Sequence, residues 1–221
     1  PMGLGADPWL SLAAYLLGTS LFFGWLIPWG IEGRSMREMG WKRHHAIRYF
    51  LIAAILTLIV ASLKPMQGLP QEFKETLGIQ DVRAGAILGI PIALMWVLLI
   101  GFVFAGWTEE NFFRGHLMPA FREVGLSGRG ANMAQAGVFT SIHIPGLIVS
   151  LSSAHADLAL GGMIAAAVLP LISWWLMGML FGWLRMRLGS IVPGFAVHGT
   201  WNAVYFARAW VGVFVVMQWM A

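Results

Sequence analysis

Glu109 and Glu110 stand side by side near the end of a long apolar run, in Trp107-Thr108-Glu109-Glu110-Asn111-Phe112-Phe113-Arg114. Ionisable side chains at membrane depth are costly, so a pair of them there is read as functional. Two further polar groups recur inside apolar segments: His143 in Phe139-Thr140-Ser141-Ile142-His143, then His198 and Asn202 in His198-Gly199-Thr200-Trp201-Asn202. An acid, two imidazoles and an amide are the parts of a hydrolytic site. The acid takes a proton from water, an imidazole shares it, and N–H donors hold the negative oxygen that develops on an attacked carbonyl.

The spacing assigns expected roles. Residues four apart share a helix face, and an acid placed N-terminal to a base is the better order, which pairs Glu110 with Arg114. Glu109, about 100° further round a helix of 3.6 residues per turn, then has no sequence-local partner and is the free acid. In a poorly solvated site such a carboxylate suits a general base acting on water. His198 and Asn202 are also four apart, and together present two donors to an oxyanion, where one fixed donor is worth roughly 3 kcal/mol of barrier. His143 is placed to hold or share the water, and Phe139, one turn earlier, to shape the apolar wall. Taken singly, each motif equally fits a structural clamp between helices. Three at one depth do not. His116, on nearly the same face as Glu109, is expected at the rim as a supporting residue. His44 and His45 are read as solvated, and His155, near Asp157, as a loop residue.

These side chains need helices to carry them, and composition says where the helices lie. Of 221 residues, 58% are hydrophobic and 11% charged, with a positive mean hydropathy, which a water-soluble domain of this size does not sustain. Apolar runs near the roughly 20 residues that cross a bilayer fall at about 9 to 29, 49 to 63, 84 to 106, 132 to 153, 160 to 184 and 190 to 217. The expectation is an all-α, polytopic membrane bundle of about six transmembrane helices, the second short, forming a single domain over 1–221 without linker or repeat. The first run is too long for a signal-peptide core of about 7 to 15 residues and is expected to be retained. Gly85 with Gly89 and Gly178 with Gly182 read as close helix contacts. The basic segment Glu32 to Arg48, with Trp41, suits a leaflet surface. Lys64 to Arg83 suits an outward loop.

The absence of cysteine excludes disulfides, thiolate zinc sites and a cysteine nucleophile. A net charge of +4 reflects loop bias, so nucleic acid is not an expected partner. With alternating spans, one set of loops holds Arg34, Arg37, Lys42, Arg43, Arg48, Arg114, Arg122, Arg129, Arg185 and Arg187, and the other Lys64, Lys74, Arg83 and Arg208. Ten basic residues against four put both chain ends outside the cytoplasm and the acids and imidazoles in the cytoplasmic half of the membrane.

In order and spacing, Glu109-Glu110-x-x-x-Arg114, Phe139-x-x-x-His143 and His198-x-x-x-Asn202 resemble the CPBP family of intramembrane proteases. That family includes the type II CAAX prenyl endopeptidases and bacterial proteins of the Abi group. Phe113-Arg114-Gly115 and Gly189-Ser190-Ile191-Val192-Pro193 are also similar to family sequences, and the signature-bearing core covers about 84–205. The resemblance implies helices around a conical cavity open to cytosol and lipid. It implies that Glu109 and His143 activate water, that His198 and Asn202 form the oxyanion hole, and that Glu110, Arg114 and Phe139 support them. It further implies a peptide or prenylated-protein substrate and a multi-pass location: a prokaryotic inner membrane, or the endoplasmic reticulum if the source is eukaryotic. No cofactor is favoured. The alternative is zinc, as in a metalloprotease, with Glu109, His143 and His198 as three ligands plus water, although no His-Glu-x-x-His helix is present.

Other classes account for fewer of the residues. Gly125-Leu126-Ser127-Gly128 matches a serine-protease pattern, but Arg122, Glu123 and Arg129 place Ser127 in a wet loop. Asp7, Asp81 and Asp157 do not form the intraspan pair of an aspartyl protease. A transporter would use the same groups as a proton path but would usually show internal repeats. An immunity or scaffold protein would use them only to hold helices together.

Overall fold

The computed structural model describes residues 17–42, 45–62, 97–154 and 160–219. The start of the first apolar run, residues 84–96 of the third, the loop from Lys64 to Arg83, the Gly85–Gly89 pair, His44, His155 and Asp157 lie outside the described residues. The described residues form nine helical segments and no strand: α1 (Leu17–Ile31), α2 (Met36–Met39), α3 (Ala46–Ser62), α4 (Val97–Leu117), α5 (Met118–Glu123), α6 (Gly128–Ser141), α7 (Ile144–Ala154), α8 (Leu160–Leu188) and α9 (Val192–Trp219). The described residues are all-α, as the apolar runs lead one to expect.

Polarity is inverted relative to a water-soluble bundle. Along α3, Ile47, Leu51, Ile52, Ile55, Leu56 and Ile59 are exposed, while Glu110, Asn111, Arg114, Asn132, Gln135 and His198 are buried. Apolar surface on that scale marks contact with lipid or protein, and a polar interior is where a bilayer protein keeps its ionisable groups. Two helical stretches, Gly128–Ser152 and Leu160–Leu188, are long and apolar enough to cross a membrane, and Leu17–Ile31 and Ala46–Val60 are shorter apolar helices.

Close packing depends on small residues. α9 lies against α4 and α3, α6 against α8, and α1 against α4. Where α4 crosses α9, a Cβ on Gly101 would stand 2.9 Å from the Gly199 carbonyl, so the two backbones nearly touch, as small residues permit in a bilayer. Gly178 and Gly182 act as their spacing predicts: a Cβ on Gly178 would meet Ala136 at 3.0 Å, and one on Gly182 would overlap Asn132.

Three local features differ from an ideal helical reading. α4 and the Phe22–Ile31 part of α1 are wound in the wide π form. The Thr108 hydroxyl follows that winding and donates to the carbonyl of Val103, five residues back, at 2.9 Å. The fourth apolar run is not one straight helix but α6 and α7 joined at Ile142–His143. Pro145 explains the joint, because its ring crowds the preceding turn and it offers no N–H. There the His143 N–H reaches Thr140, three residues back, at 3.1 Å. Finally, the basic segment does not simply lie flat. Ser35 and Glu38 cap α2 reciprocally, Gly40 ends it at φ 101°, and Trp41 turns inward to donate its indole N–H to Asn111.

Candidate active site

The three motifs meet. The carboxylates of α4 face His198 of α9: Nδ1 of His198 lies 3.2 Å from Oε1 of Glu110, and Nε2 lies 3.7 Å from Oε2 of Glu109. The first distance is a hydrogen bond. The second exceeds one. Since a carboxylate oxygen accepts, Nδ1 carries the hydrogen and Nε2 is the working edge of the ring. Oε2 of Glu109 is shut off from solvent and has no hydrogen-bond partner, although both imidazoles and Arg114 lie within its electrostatic reach.

Arg114 holds the floor. It is fully buried and donates from Nη1 to Oε1 of Glu110 at 2.9 Å and from Nη2 to the Gly178 carbonyl at 3.3 Å. Its guanidinium also lies over three rings, 4.7 Å from the centre of Phe139, 5.0 Å from Phe181 and 5.6 Å from Phe113, contacts that favour a cation away from water. The Glu110–Arg114 pair expected from four-residue spacing is therefore present. Glu110 also touches His198, which spacing along one helix had no means of revealing.

His143 occupies the joint between α6 and α7. Its Nδ1 is 2.7 Å from the Phe139 carbonyl, and a carbonyl only accepts, so Nδ1 carries the hydrogen and Nε2 is free to act as acceptor. Trp174 of α8 stacks on its ring with centroids 4.8 Å apart and planes 27° apart. Phe139, buried between the imidazoles, lies 4.8 Å from His143 and 5.9 Å from His198. Asn202 follows His198 by one turn of α9 and is half-buried.

Several contributors have no counterpart in the sequence motifs. Phe181 stacks on His198 at 5.1 Å, Trp174 on His143, and Gln135 donates to the same Gly178 carbonyl that Arg114 uses, at 2.8 Å. Trp174, Gly178, Phe181 and Arg185 recur at helical spacing on α8, a face that identifies itself only once a partner is known. Gly194 gives Glu110 its room: a Cβ there would stand 2.6 Å from Oε2.

His116 is buried and pairs with Glu32 at 2.9 Å, beside an exposed link from Arg34 to Glu32 and Glu123. This network joins α4 and α5 to the turn after α1. Burial pushes the Glu32 carboxyl up, but the Arg34 and His116 contacts outweigh it and leave it below the ordinary carboxylate value of 4.5. Ser127 uses its hydroxyl to cap α6, accepting from the Gly130 N–H at 3.1 Å. Among the described residues no three His, Asp or Glu side chains converge as a metal site, while the bond from Nδ1 of His198 to Glu110 leaves Nε2 available as a ligand.

The family model described as "Type II CAAX prenyl endopeptidase Rce1-like" matches residues 91–204, more than half of the chain and all three motifs. The chain belongs to that family. No curated protein and no solved structure matches it. Membership in the Rce1-like family makes it a membrane protein of a protease family and agrees with the inverted polarity of the bundle.

Proposed function

We propose that the protein is an intramembrane endopeptidase that hydrolyses a peptide bond near the cytoplasmic membrane face, in CAAX-type C-terminal processing or a related peptide maturation. The observation that carries this is the carboxylate of Glu109: it lies 3.7 Å from Nε2 of His198 and within electrostatic reach of His143, with a buried oxygen lacking a hydrogen-bond partner. Glu110, by contrast, has Oε1 engaged by both Arg114 and His198, although its Oε2 is equally without a partner.

In this reading Glu109 removes a proton from water that His143 holds through Nε2. The hydroxide adds to the scissile carbonyl carbon, and the developing oxyanion is held by Nε2–H of His198, when protonated, and by the side-chain amide of Asn202. The C–N bond breaks, and the proton taken by Glu109 passes to the leaving nitrogen, giving a carboxylic acid and an amine. Glu110 and Arg114 keep His198 aligned, and Phe139 excludes water from the back of the ring. About six spans around a cavity open to cytosol and lipid would bring in a prenylated or otherwise membrane-bound peptide.

The test is cleavage of a farnesylated reporter peptide by purified protein in liposomes, beside Glu109→Gln and a chelator-treated sample. Cleavage that survives chelation and is lost in Glu109→Gln supports the reading. Loss on chelation with recovery on zinc refutes the metal-free mechanism, and unimpaired cleavage by Glu109→Gln refutes the assigned base.

A further inference from the structure

A cavity of about 620 Å³ opens beside the end of α4, lined by Arg114, Met118, Arg122, Glu123, Arg185 and Met186 among others. Its size is that of a pocket for a small molecule or short peptide. Its charge is unbalanced. Glu123 is engaged by Arg34 at 2.9 Å, whereas among the described residues neither Arg122 nor Arg185 meets a carboxylate, Arg185 giving one hydrogen bond to the Glu38 carbonyl at 3.1 Å. At the inner wall, fully buried Arg114 has an Nε–H without a partner. Three guanidinium groups, one with an unused buried donor, form a receptor for an anion with planar oxygens.

We propose that this cavity binds the free C-terminal carboxylate of the peptide being cut, so that Arg122 and Arg185 measure the cleavage site from the chain end. The proposal rests on the endopeptidase reading and names its specificity residues. Arg114 belongs both to the cavity and to the Glu110 pair, so the cavity begins where the chemistry ends. Arg122 comes eight residues after Arg114, at most about 12 Å along the helical path at 1.5 Å per residue and less where α4 is wound in the wide form. An extended peptide of three or four residues covers roughly 10–14 Å. A short leaving fragment therefore bridges the two places, its side chains meeting Met118 and Met186 and its terminal carboxylate meeting the arginines. A longer leaving segment, or one ending in an amide, lacks that anchor.

The experiment measures binding separately from turnover. Fluorescent farnesylated peptides whose scissile bond is N-methylated, ending in a free acid or in an amide, are titrated into full-length protein in detergent, with hydrolysable versions assayed in parallel. The acid is expected to bind at least about tenfold more tightly than the amide, the range of a charged hydrogen bond. Arg185→Gln and the solvent-exposed Arg122→Gln should each reduce affinity for the acid and leave the amide unchanged, with Arg185→Lys restoring part of the loss. Arg122→Gln keeps the test decisive if Arg185→Gln folds poorly. Acid-dependent binding without cleavage supports the cavity and defeats the protease reading. Equal binding of acid and amide, or saturable binding of phosphatidylglycerol vesicles that the acid peptide does not displace, overturns the proposal.

Discussion

Replacing Glu110 by Gln removes one negative charge from a place with no solvent, and the structure sets the size of the effect. Arg114 is wholly buried against Glu110, the Gly178 carbonyl and three aromatic rings. Breaking a buried ion pair by removing one partner costs about 3–5 kcal/mol. Glutamine keeps an acceptor oxygen, and a retained hydrogen bond offsets about 1 kcal/mol, which leaves a loss of about 2–4 kcal/mol. Glu109→Gln differs from it by a single atom type at the next position, but Glu109 has no hydrogen bond to lose, so its effect on stability should stay within about 1 kcal/mol. Reversible unfolding in mixed detergent micelles, with tryptophan fluorescence as the readout, measures both. Adding Arg114→Met to Glu110→Gln should recover much of the loss, because the uncompensated cation goes with it. Equal destabilisation by Glu109→Gln and Glu110→Gln, or none by either, would refute the division of labour between the acids.

Three further outcomes follow from the geometry. Asn202→Ala should lower kcat by roughly 10²–10³, the usual cost of one oxyanion donor, with KM little changed, as steady-state cleavage would reveal. Gly194→Ala should destabilise by about 1–3 kcal/mol, since its Cβ would press on Glu110, and thermal unfolding reads this directly. The Glu32 carboxyl, held below its ordinary 4.5 by Arg34 and His116, contributes stability that is present above pH 4.5 and lost as pH falls through its lower folded value. Glu32→Gln should therefore flatten the acid limb of a stability-versus-pH curve without moving the neutral plateau's midpoint upward.

Helices carry most of what is legible in this chain. Apolar runs fix an all-α bundle because a bilayer leaves the backbone few other ways to satisfy its hydrogen bonds, and four-residue spacings correctly join Glu110 to Arg114. Contacts between helices are another matter. No spacing says that Nδ1 of His198 will find Glu110, or that Phe181 and Trp174 will stack on the imidazoles, since these depend on which helix faces which. Local exceptions were equally hidden. The wide winding of α4 has no simple residue signature, whereas Pro145 was a visible reason to break the fourth run and to put His143 at a joint. Trp41, in a segment that suits a leaflet surface, also serves as a donor to Asn111, a contact the sequence does not announce.

Counting charge in the buried cluster gives two carboxylates against one guanidinium, a deficit of one. One further positive charge would bring the cluster to neutrality, which water-poor surroundings favour. The proposed hydrolysis takes one proton from water and returns one to the departing amine, so the proton count of the cluster is unchanged by a turnover, and only one replacement water has to enter from solvent before the next peptide.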